Sequence, residues 1–188
     1  MLKVIAFAAS ASLALSSASI AHEHRELGAH EHGHGTLNLA IEGSSVKMEL
    51  EVPGADIVGF EHAPSTADQK EVVDKARQTL SQPLALFKVP ADAKCTVKEA
   101  TVKVQEEKHE HGEEGEKEAK GTTAHHSEFF VEYALECGAV DALTSLDFDF
   151  FKSFKNAKIL TVNVITSKGQ SKFEVNPEKP MVDLTGLM

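Results

Sequence analysis

The chain has 188 residues, 41% of them hydrophobic and 26% charged, which is enough apolar surface for one packed core. Its 29 acidic residues outnumber the 19 basic ones, for a formal net charge of −10. Such a field repels nucleic acid and anionic membranes, and it raises the local concentration of cations.

Residues 1–21 read as an export signal. Lys3 supplies the basic start, Val4 to Leu15 an apolar run, and Ser19-Ile20-Ala21 a small-x-small cleavage site. The run is shorter than the ~20 residues that span a bilayer. The expectation is a cleaved signal peptide, a mature chain starting near His22 with no membrane span, and a periplasmic location. Loss of Lys3 leaves 18 basic residues against 29 acidic, a formal charge of −11.

A histidine-rich N-terminal segment, 22–35, follows. His22, His24, His30, His32 and His34 are half of the ten histidines in the chain. Imidazole is the commonest protein ligand for zinc, copper and nickel. The bland alternative is a solvated polar arm. Interleaving with Glu23, Arg25, Glu26 and Glu31 argues against a purification tag.

Residues 36–188 read as a β-rich metal-binding domain. Leu37, Leu39 and Ile41 alternate with polar or small residues, then Gly43-Ser44-Ser45 turns the chain, and Val46, Met48, Leu50 and Val52 alternate in the same way. This pattern predicts a hairpin with one buried and one wet face, ended by Pro53-Gly54. Extending the first strand backwards puts His34, His32 and His30 on the wet face, with Gly33 and Gly35 able to bend it. Thr66 and Gln69 form a capping box, and Val72, Val73, Ala76 and Leu80 recur at helical spacing before Pro83. A strand spans Cys95 to Val104, with a phase shift near Glu99 that marks a bulge. Phe129, Val131, Tyr133, Leu135 and Cys137 predict another strand. Leu146 to Phe154 alternates at first and then packs as a helical turn would. Its Asp147 and Asp149 read as core-flanking residues, not ligands. Leu160 to Val164 and Phe173 to Val175, around Ser167-Lys168-Gly169, predict a last hairpin.

The tract 106–126 differs, with seven Glu, four His and three Gly but no large apolar residue. It buries too little surface to offset its ordering entropy, so a disordered His/Glu-rich loop is expected. Its charge alone reads as a solvated run, and its histidines (His109, His111, His125 and His126) add weak metal capture. The fold class is therefore α+β: mainly antiparallel β hairpins with one clear helix, a single compact domain plus this loop.

His62, just before the helix, and His126, opening a strand, are the candidates to complete a site begun by His30, His32 and His34, with His125 close behind. A histidine beside a helix start is commonly a hydrogen-bonded surface group, and for His62 both readings stand. Cys95 and Cys137 are an even pair in an exported chain, far from any Cys-x-x-Cys, so a disulfide is the default and thiolate ligands the alternative.

HEHGHGTLNLAIEG, PGADIVGFEHAP, HSEFFVEYALEC and ILTVNVITSKGQSKFEV together make the chain resemble the ZrgA-type family of bacterial periplasmic zinc-uptake proteins. The resemblance implies a non-enzymatic accessory factor that binds Zn(II) and helps a zinc ABC importer, whose periplasmic binding protein is the expected partner. It also implies that His30, His32, His34, His62 and His126 occupy shared positions. Two alternatives stay open. A zinc hydrolase lacks support in the sequence, which has no His-Glu-x-x-His and no nucleophile elbow. A nickel or copper buffer remains, although Cu(I) sites favour thioethers and the mature chain has only Met48, Met181 and Met188.

Overall fold

Strict alternation of apolar and polar residues builds the first two strands, β1 (His34–Glu42) and β2 (Ser45–Pro53), into an antiparallel hairpin. The two-residue turn between them starts at Gly43, whose φ of 56° suits a left-handed position. In the computed structural model, residues 32–107 and 126–188 are described. The export signal, His22, His24, His30, His109, His111 and His125 lie outside them.

Next come α1 (Gly54–Val58), α2 (Ala67–Leu80), α3 (Pro83–Leu86) and β3 (Phe87–Lys88). They lead into β4 (Cys95–Glu107) and β5 (His126–Cys137). The chain ends with β6 (Ser145–Phe148), α4 (Phe150–Ser153), β7 (Ile159–Thr166), β8 (Gly169–Val175) and β9 (Met181–Asp183). Six strands form one sheet in the order β4-β5-β2-β1-β7-β8, and β3-β6-β9 form a second, small sheet. Among the described residues every strand pairing is antiparallel except that of β1 with β7.

One face of the large sheet is apolar. Leu37, Leu50, Val131, Leu160 and Val162 are buried there in one cluster with Leu80 of α2 and with Phe87, Phe148 and Phe150. Tyr133 ties the layers together: its ring meets Phe87 edge-on at 6.0 Å, and its buried hydroxyl donates to the Leu80 carbonyl at 2.8 Å. The opposite face is polar, as Lys103 paired with Glu132 and Asn163 bonded to Asn38 illustrate.

The capping box at Thr66 and Gln69 is formed, and Val73, Ala76 and Leu80 of α2 are buried. Val72, expected in the same stripe, is instead 44% exposed. The β4 bulge falls between Val97 and Glu99, and Cys95 and Cys137 are joined across β4 and β5. Leu146 to Phe154 resolves into β6 followed by the single turn α4. Two features were outside the expectation: the parallel β1–β7 pair and the second sheet. Both depend on contacts remote in sequence, which local patterning does not encode.

Candidate metal centre

The start of β1, the start of β5 and the segment leaving β2 meet at one end of the large sheet. Pro53 closes β2 and α1 makes a single turn. Gly59, at φ 84°, then caps that turn by donating its N–H to the Ala55 carbonyl at 3.1 Å. A left-handed position of this kind suits glycine, and it turns the chain so that Phe60 and Glu61 come back toward β5.

The three elements are packed without slack. A Cβ on Gly54 would lie 2.2 Å from the Ser127 hydroxyl and 3.0 Å from the Phe60 carbonyl, so only glycine lets α1 approach the first residues of β5 so closely. The Gly54 contact thus sits next to His126 in the chain, and the Phe60 contact next to Glu61.

Glu61 is the centre of the arrangement. One carboxylate oxygen lies 2.5 Å from His32 Nε2 and the other 2.5 Å from His126 Nδ1. The imidazole rings are 6.5 Å apart between centroids. The three ligating atoms lie within 4.8 Å of one another. The Glu61 side chain is 16% exposed, His126 36% and His32 63%, so the group opens to solvent on the His32 side.

An ionised carboxylate can only accept hydrogen bonds, so in this arrangement both facing ring nitrogens carry a proton. A divalent cation held between them would take the place of those protons. Two imidazole nitrogens and one carboxylate oxygen make a donor set that zinc takes readily, at ~2.0–2.2 Å per bond, with a further position left for water or another ligand. The donor atoms are close enough together to share one ion, and His32 is the most exposed of the three residues.

The backbone around His32 departs from the extended strand expected from the sequence. Gly33 takes a left-handed φ of 85°, so β1 starts only at His34 and His32 sits in a turn before it. The Gly33 N–H donates to both carboxylate oxygens of Asp56 in α1, at 2.8 and 2.9 Å. The Gly33 carbonyl accepts from the N–H groups of Lys158 and Ile159 at 2.9 and 2.8 Å. Burial pushes the Asp56 carboxyl above the usual carboxylate range, partly offset by the Gly33 N–H and by the positive charge His32 can carry.

His34 shares the polar face with Thr36 and Asn38, and its Nε2 bonds to the Thr161 hydroxyl at 2.9 Å. His62 stacks on Phe60, donates from Nδ1 to the Ala63 carbonyl at 2.9 Å, and receives the Gln69 side chain at Nε2. The structure thus brings His32 and His126 together and places His34 and His62 with other partners. Glu61 and Asp56 were not singled out from sequence. Both lie in the PGADIVGFEHAP segment, whose Gly-bounded turn beside a histidine was the available signal.

Among the described residues no helix is long and apolar enough to cross a membrane. No curated protein matches the chain. Residues 29–184 match the family model of the ZrgA family zinc uptake proteins, and the chain belongs to that family.

Proposed function

We propose that this member of the ZrgA family captures Zn(II) in the periplasm and supplies it to a zinc importer, one ion being held by His32, Glu61 and His126. The observation that carries this reading is the convergence of two imidazoles far apart in the sequence, His32 and His126, on the two oxygens of one carboxylate.

Zinc is the cargo, so the site must release it as well as hold it. Three protein ligands with one partly exposed side suit exchange better than a closed four-ligand cage. The donor set contains no sulfur, and Met48 is buried in the core, which favours zinc over Cu(I). Both histidine-bearing tracts join the described residues at this centre, one ending at His32 and the other at His126. Ions gathered weakly by His22, His24, His30, His109, His111 and His125 would be concentrated beside the site that holds them.

Isothermal calorimetry of the metal-free protein with zinc, nickel and copper tests the reading. The expected result is one tight zinc class that His32→Ala, Glu61→Ala or His126→Ala each weakens strongly, over a weaker class that they leave in place. Binding should release protons, and affinity should drop between about pH 7 and about pH 5, the range in which histidine generally protonates. Unchanged tight binding in all three variants would overturn the assignment.

A further inference from the structure

Asp56 is not itself one of the metal donors, yet the fold keeps its carboxylate buried, at 3% exposure, where it accepts one backbone N–H. Burying a carboxylate is costly unless its charge is used, and a neutral acceptor would suffice to close a turn. The N–H it holds belongs to Gly33, the residue between His32 and His34.

We infer that Asp56 is the positioning residue of the metal centre: it fixes the left-handed turn at Gly33 that aims His32 at Glu61, and it places a second negative charge behind the cation. This inference rests on the reading of His32, Glu61 and His126 as the zinc site. Three observations converge on it. The Gly33 N–H is bound to both Asp56 oxygens while the Gly33 carbonyl is bound to Lys158 and Ile159, so the peptide groups on both sides of Gly33 are fixed. Were the clamp removed, the exposed His32 would be free to swing on a glycine hinge. α1, which carries Asp56, also presses Gly54 on Ser127 and leads through Gly59 to Glu61, so one helical turn sets the relative places of all three ligands. Finally, α1 is itself pinned, because the Asn156 side-chain amide donates to the Ala55 carbonyl at 3.1 Å.

A group that acts through another loses its effect when that other is removed, and this is what separates positioning from general support of the fold. Zinc affinity is measured for the parent and for Asp56→Ala, Asp56→Asn, His32→Ala and the double variant His32→Ala/Asp56→Ala, with the Co(II) absorption spectrum as a second readout. Asp56→Ala should weaken zinc by ~10–100-fold, the usual effect of losing a group that supports a metal ligand, and should alter the Co(II) spectrum. Asp56→Asn keeps an acceptor for the Gly33 N–H and should recover part of the loss. In the double variant the losses should not add, because with His32 gone nothing is left for Asp56 to aim. Parent affinity in Asp56→Ala, or fully additive losses in the double variant, would overturn the inference while leaving the zinc site standing. If His32→Ala itself costs nothing, the site reading falls instead.

Discussion

The two ends of the β4–β5 ladder make opposite use of the same geometry. At one end Cys95 faces Cys137 and a covalent bond joins the strands; at the other Glu107 faces His126, which reaches out of the ladder to Glu61. The register is continuous apart from the bulge between Val97 and Glu99, so the ends stand about 35 Å apart at the usual rise per residue. The covalent end is fixed at any cation concentration and opens only to a reductant. The histidine end is held by hydrogen bonds that a cation can replace. A small β-rich domain can thus keep stability and exchange of cargo at separate places, and perturbing one end should leave the other unchanged.

The largest expected effect is at the covalent end. Replacing Cys95 and Cys137 together by Ala should lower stability by about 4 kcal/mol on the chain-entropy argument for a loop of this length. Zinc affinity of the folded protein should stay within about threefold, well below the ~1.4 kcal/mol that a tenfold change would mean. Chemical denaturation and calorimetry on the same samples read both, and a matched collapse of affinity would break the comparison. At the other end the outcome reverses: His126→Ala should cost at least about 100-fold in zinc affinity, more than a supporting residue does. The metal-free melting temperature should barely move, since the ring is partly exposed.

Gly54→Ala links the packing of the fold to the metal centre in a smaller way. Its Cβ meets Ser127 with no room, so overpacking should cost about 1–3 kcal/mol and shift α1 away from β5. Affinity should fall in this variant more than it does when the disulfide is removed, because the distortion lies among the ligands. Deleting residues 108–123 should reduce the number of zinc ions bound while changing the tight class by less than about threefold. That deletion spares Glu107, which still pairs with His126.

Asp149 supplies the smallest test. Its contacts with Lys152 and Lys88 hold its carboxyl below the usual carboxylate range. A depressed value means a stabilising contribution that is present above the unfolded-state value and fades as pH falls through the folded one. Asp149→Asn should therefore soften acid unfolding slightly and leave zinc binding unchanged.

Much of the frame was legible in the sequence because it is encoded locally. The alternation through Leu37 to Val52, the capping box at Thr66, the phase shift near Glu99 and the alternation of Phe129 to Cys137 each specify an element with its neighbours alone. The centre was only half legible. Histidine clusters announce themselves by composition, so His32 and His126 could be named among ten. Their meeting at Glu61 could not be read, because it depends on a one-turn helix too short for periodicity and on the left-handed turn at Gly33. A straight strand would have grouped His30, His32 and His34 on one face. The Asp56 clamp, made across 23 residues of sequence, turns the chain before His34 instead.

The parallel pairing of β1 with β7 also sets an order of events. His34 lies opposite Ile159, and the Gly33 carbonyl is bound to Lys158 and Ile159, so the turn that carries His32 is complete only once the start of β7 has docked beside β1. Contacts of such long range slow folding, because the loop must be closed before they reward it. A ligand that binds only the native form stabilises it by mass action. Zinc held at this centre would therefore proofread assembly, adding stability only to chains whose first strand has already found its seventh.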